Sequence, residues 1–246
     1  MKLKHLPFLC ITATILSQTI SPVPASQPIV IGLYKNNVQE REVKNFTGVA
    51  TGGPLQVIIN LGSKEGLRFE GDAEAIATLV TEVKGNVLII RPQASWTSWN
   101  RKYQHKKITV YISAKNIKSL TMSGNGSITV NGKIKEQSLA ATLSGSGNVY
   151  ADADVNSFTG VISGSGNLNI SGSANDANIV VSGSGAFTRK SFTVNRLTSV
   201  ISGSGAVNIT AKDHIETVIS GSGALNYSGN ASVEKRVSGS GQVRKI

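Results

Sequence analysis

Both tryptophans of the chain stand in one short run, Ser95-Trp-Thr-Ser-Trp-Asn-Arg-Lys-Tyr-Gln-His-Lys-Lys107. Aromatic faces stack on sugar rings or bases, and guanidinium and ammonium groups meet phosphate or carboxylate. Trp96, Trp99, Arg101, Lys102 and Tyr103 are therefore candidate ligand-binding residues. The plainer reading is a long β-connection whose tryptophans pack on the core. Bond-making chemistry is harder to place. The histidines are His5, His105 and His214, no His-Glu-x-x-His occurs, and Cys10 is the single cysteine, so the usual zinc sets are missing. The glycine-rich turns lack the Lys-Ser/Thr ending of a phosphate loop. They also lack the aspartate that a calcium-binding β-roll needs after its glycines, since Ser, Asn, Ala or, in the last copy, Gln stands there. No catalytic group, metal or cofactor is expected. Asp152 and Asp154 would share one side of a strand, as paired carboxylates do in polysaccharide-acting enzymes. With Asp176 and Asp213 they fall out of step with the repeat described next, and a solvated turn is the simpler reading.

That repeat is Ser-Gly-x-Gly. It starts at Ser123, Ser144, Ser163, Ser182, Ser202, Ser220 and Ser238, in steps of 21, 19, 19, 20, 18 and 18 residues. A fixed signature with a period near 20 marks a stacked repeat. The residue before each motif is apolar: Met122, Leu143, Ile162, Val181, Ile201, Ile219 and Val237. Five residues after each first serine stand Ile128, Val149, Leu168, Phe187, Val207, Leu225 and Val243. Seven after it the residues are mostly apolar, with Arg189 and Lys245 as exceptions, and those between are mostly polar. Side chains that alternate with period two read as strand. The paired glycines, Gly145 with Gly147, Gly164 with Gly166, Gly183 with Gly185, Gly203 with Gly205 and Gly221 with Gly223, supply the positive φ of a corner. Phe158, Ala177, Leu197 and Ile215 allow a further short strand, so three short strands and three turns fill each coil. The middle serines, Ser146 to Ser222, would stack at the corner. Val161, Val180, Val200 and Val218 would form an outward stripe that packs on the rest of the chain or on a second copy. One coil cannot fold alone. About four buried side chains give on the order of 8 kcal/mol, against roughly 20–35 kcal/mol of backbone entropy for one coil.

The chain around the repeats divides by pattern. Residues 1–25 read as an export signal, with a Lys2, Lys4 and His5 head, an apolar Leu6 to Leu16 stretch and a small-residue site ending at Ala25. Cleavage would remove Lys2 and Lys4 and take the net charge from +11 to +9. A basic exported protein suits acidic partners such as anionic glycan, lipopolysaccharide or another envelope protein, and no nucleic acid is expected. Its mature form would hold no cysteine, in keeping with an oxidising compartment. Residues 26–39 read as a linker. Residues 40–118 read as a β-rich part, with a hairpin at Lys84-Gly85-Asn86 and one helical turn over Asp72 to Ala77 as its only helix. This part is either its own small domain or a set of irregular coils. Residues 119–246 are the seven-coil solenoid.

The glycine-broken strands from Phe46 to Ile112, followed by Ser119-Leu-Thr-Met-Ser-Gly-Asn-Gly126 and the recurrent Ser-Gly-Ser-Gly coils, resemble the bacterial putative auto-transporter adhesin head GIN domain family (DUF2807). The resemblance spans roughly residues 40 to 246. It implies a right-handed parallel β-helix in an exported or envelope protein, with no established activity and no functional residues to carry over. The resulting expectation is an all-β solenoid in a non-enzymatic binding or structural protein that is periplasmic, secreted or on the cell surface. A homo-oligomer through the valine stripe and a polysaccharide-acting enzyme on the same scaffold are the alternatives.

Overall fold

The computed structural model describes residues 37–103, 105–187 and 191–246. The expected export signal, the linker up to residue 36, and Arg189 lie outside the described residues. The linker's last residues belong to a strand instead, β1 (Asn37–Arg41).

The C-terminal half is a parallel β-solenoid, part of a stack of about seven turns. Its strands are β8 (Ser119–Gly124), β9 (Ser127–Gly145), β10 (Asn148–Gly164), β11 (Asn167–Gly183), β12 (Ala186–Phe187), β13 (Phe192–Gly203), β14 (Ala206–Gly221), β15 (Ala224–Ser228), β16 (Ser232–Ser238) and β17 (Gln242–Lys245). Every pairing among them is parallel and one coil apart. Leu143, Ile162, Val181, Ile201 and Ile219 form one in-register column and are fully buried. Val149, Leu168, Phe187, Val207 and Leu225 form a second buried column. Phe158, Phe187 and Phe192 fill the interior between them, with ring centroids 5.2–5.8 Å apart.

Two expectations about the coil are corrected. The three short strands merge. β9, β10 and β11 run for 19, 17 and 17 residues, each from one Ser-Gly-x-Gly corner to the next, because pairing with a neighbouring coil continues round the bends. The paired glycines also divide their labour. Gly164 has φ +123°, whereas Gly166 is absent from the positive-φ set. A methyl group on Gly166 would stand 2.7 Å from Leu143 Cδ2 and collide with the Gly147 carbonyl. The second glycine therefore makes room for the coil beneath it. The Gly145 carbonyl accepts the N–H groups of both Ser165 and Gly166 at 2.9 Å, and the same pattern recurs at Gly124 and Gly164. The middle serines serve the corner through their backbone N–H.

The N-terminal half joins the same stack. β2 (Gly48–Gly52) pairs in parallel with β8, and β3 (Gln56–Leu61) with the start of β9. The chain then makes β4 (Gly66–Gly71), α1 (Ala73–Ala77), β5 (Leu79–Lys84), β6 (Val87–Pro92), α2 (Trp96–Tyr103) and β7 (Ile108–Ala114). β6 and β7 form a coil on the far side of β2 and β3, again in parallel. The coil made early in sequence is thus sandwiched between two made later. β4 adds antiparallel to β7, β1 to β4, and β5 to β6, which closes this end of the solenoid. The β5–β6 hairpin turns at Gly85 and Asn86 with φ of 57° and 65°, as its sequence predicts.

Candidate functional site

The aromatic and basic run does not form a β-connection. Residues 96–103 are a helix, α2, contrary to the expectation of one helical turn in this half. Ser95 Oγ accepts the Ser98 N–H at its start, which caps the first turn. Trp99 and Tyr103 are buried and pack edge-on and tilted, Trp96 to Trp99 at 5.6 Å and Trp99 to Tyr103 at 5.2 Å. Trp99 Nε1 donates to Thr78 Oγ1 at 2.9 Å. The half-buried Trp96 indole lies against Gly52 and Gly53, where a methyl on Gly52 would stand 2.7 Å from Trp96 Nε1. Gly53 is the top of the glycine corner, with the Gly124 corner directly beneath it. Trp96 therefore covers the end of the column of corners.

The cations of α2 are tied down in the same way. Glu74 Oε1 accepts Lys102 Nζ at 2.6 Å and the Tyr103 hydroxyl at 3.2 Å, which locks α2 to α1. The Lys102 hydrogen bond, reinforced by its charge and by the Tyr103 hydroxyl, holds the Glu74 carboxyl below its usual range. Glu74 in turn raises Lys102. Asp72 caps α1 through the Ala75 N–H at 3.0 Å and pairs with Lys106 at 2.9 Å. Lys106 first and the Ala75 N–H second push the Asp72 carboxyl down. Of the five predicted ligand-binding residues, Arg101 and Lys102 are exposed, and Lys102 is paired. A shallow apolar cleft of about 270 Å³ remains beside Ser98, Trp99, Lys102 and Tyr103. The aromatics close the solenoid end more than they face solvent.

The valine stripe points outward. Val161, Val180, Val200 and Val218 stand in register, and Val200 and Val218 are each 37% exposed. The N-terminal half does not fold back over them, because it extends the same column through Ala50, paired with Thr121.

A groove of about 400 Å³ on another face is lined by Asp154 and by side chains the sequence did not single out. Asn175 Nδ2 donates to Asn156 Oδ1, and Asn195 Nδ2 donates to Asn175 Oδ1 at 3.2 Å. Beside this ladder run Asp154, Ser173 and Thr193, one per coil, with Ser173 donating to Asp154. Lys135 stands in register one coil before them and Thr210 one coil after, while Glu136 and Lys212 line the two ends of the groove. The row thus crosses five coils, about 19 Å at the usual strand spacing. Steps of 19 and 20 residues between Asn156, Asn175 and Asn195 match the repeat and were the available signal. Asp176, within β11, pairs with Arg196 at 2.7 Å, and Asp152 and Asp154 lie within β10, so these carboxylates stand on strands rather than in the solvated turn expected of them. Among the described residues no group of three or more His, Cys, Asp and Glu could hold a metal ion, and no helix is long and apolar enough to cross a membrane.

Solved structures with this architecture include a putative adhesin from Bacteroides fragilis, with a TM-score of 0.73 and 20% identity over 86% of this chain and 97% of that one. A putative adhesin from Parabacteroides merdae aligns with a TM-score of 0.65 and 20% identity over 87% and 98%. A structure described as a putative lipid binding protein from Parabacteroides distasonis aligns with a TM-score of 0.67 and 21% identity over 86% and 96%. At these identities the likeness is one of fold. No functionally curated protein matches the chain. The family model described as "Putative auto-transporter adhesin, head GIN domain" matches residues 45–231, and the chain belongs to that family.

Proposed function

We propose that this protein is a non-enzymatic, exported, adhesin-like module that holds a glycan strand along the Asn156, Asn175 and Asn195 groove. One observation carries the reading: a side-chain amide recurs once per coil across three coils, beside a column of one carboxylate and two hydroxyls, along a groove. Sugar hydroxyls both donate and accept, and amides and hydroxyls answer both needs. A rigid solenoid keeps these groups in place without the cost of ordering a loop. Export rests on the basic head and apolar stretch of residues 1–25. At one end of the groove Glu136 pairs with Lys118 and Asp154 stands in register with Lys135, so these carboxylates are offset by cations and a neutral glycan fits.

A glycan array followed by calorimetry tests this. Asn175→Leu interrupts the ladder on the surface and should weaken glycan binding by about ten-fold or more, whereas Arg101→Ala should leave it unchanged. Equal binding by the Asn175→Leu variant would remove the groove from the account. Binding to phosphatidylglycerol vesicles in preference to any glycan would favour the lipid chemistry in the description of the Parabacteroides distasonis relative. Turnover of a polysaccharide, read as new reducing ends, would overturn the non-enzymatic reading.

A further inference from the structure

The two ends of the solenoid differ. The N-terminal end is closed by β1, β4, β5 and the two helices. At the other end β16 pairs only with β14, and β17 only with β15, among the described strands. Each therefore presents one edge of backbone N–H and C=O groups. Val233 and Val243 are partly buried against the core, and Val237 is 41% exposed, in the column that buries Ile201 and Ile219 completely.

Register assigns the charges of this last coil to specific sides. Lys235 follows Ile179, Ser199 and Thr217, whose side chains point inward and are buried. Lys245 likewise continues the column of Ile209 and Tyr227. Arg236 and Arg244 continue the outward columns of Val218 and Asn226. Between Ser232 and Lys245 the coil holds four cations and one carboxylate, Glu234. A second copy stacked through this same end would set cation against cation and is disfavoured. A strand that closes over Lys235 must supply a carboxylate, because an ammonium group enclosed in the solenoid interior, above the mutually paired Ser199 and Thr217 hydroxyls, needs a partner.

We propose that the C-terminal edge of the solenoid docks an extended acidic polypeptide segment. The segment adds to β16 as the next rung, with carboxylates opposite Lys235 and Arg236 and an apolar side chain opposite Val237. Main-chain hydrogen bonds give affinity, and the alternating side chains give register. This surface lies apart from the glycan groove and does not depend on it.

The test uses the full chain and a fluorescein-labelled peptide, Ser-Val-Thr-Glu-Glu-Val-Ser, read by fluorescence polarisation at low salt. Saturable one-to-one binding is expected. Two changes should each weaken it by about ten-fold or more: alternate N-methylation of the peptide at unchanged charge, and the Lys235→Glu/Arg236→Glu double variant. Arg236→Glu alone alters only an outward side chain and guards against a folding defect; it should weaken binding in the same direction. No saturation by about 1 mM peptide, equal binding of the N-methylated peptide, or equal binding by both variants would overturn the proposal. So would a dimer of the free protein that the double variant dissolves.

Discussion

Ser199 and Thr217 place two hydroxyls inside an otherwise apolar column, both almost fully buried. Ser199 Oγ donates to Thr217 Oγ1 at 2.7 Å, so each satisfies the other across one coil step. A pair of this kind adds little net stability but is costly to break. Ser199→Ala should cost about 1–3 kcal/mol, because the Thr217 hydroxyl is left buried and alone. The double variant Ser199→Ala/Thr217→Val should recover most of that loss in a denaturant melt, and strictly additive losses would refute the pairing. Inward columns are plain in the sequence at the motif, five and seven residues beyond it, and in the looser third segment, where apolar residues recur. The column three residues before the motif mixes Ala141, Gly160, Ile179, Ser199 and Thr217. Mixed polarity hid it, although the same arithmetic would have exposed it.

The closing elements at the N-terminal end were the least legible. Nothing in the 3.6-residue spacing of Trp96, Trp99 and Tyr103 distinguishes a helix packed on a core from an aromatic binding surface until its neighbours are known. The neighbours lie far off in sequence: Glu74, Thr78 and Gly53. The hairpin at Lys84 to Val87 was legible because its turn chemistry is local. The α1–α2 contact also carries a pH signature. Asp72 and Glu74 have folded pKa values below their ordinary 3.8 and 4.5. Their stabilising effect is therefore complete above the ordinary values and is lost as pH falls through the lower folded ones. Both tryptophans of the chain report on this region, so their fluorescence should change below about pH 4. Glu74→Gln should broaden or remove that transition, and an identical acid profile in the variant would contradict the assignment.

At the scale of the molecule, a repeated corner converts a one-dimensional pattern into a shared interior. Each glycine pair turns the chain and lets the next coil settle onto the one before, and the apolar columns follow from that register. The regular half was read from sequence because each of its contacts recurs at a fixed offset. The sandwiched first coil was not, because its partners β6 and β8 are separated from it by long and unequal stretches of chain. The asparagine ladder follows the same periodicity, where identity at one coil step matters more than any local motif.

The stacking itself is open to direct measurement through the outward valine column, where substitutions spare the core. In a Cys10→Ser background that leaves no native thiol, Val180→Cys/Val200→Cys places two thiols on adjacent rungs, about 4.8 Å apart and within disulfide reach. Val180→Cys/Val218→Cys places them two rungs apart, at about 9.6 Å and out of reach. Mild oxidation of dilute protein should close the first pair within one chain and leave the second as free thiols. Ready closure of the second pair, or failure of the first in a folded protein, would contradict the one-coil register.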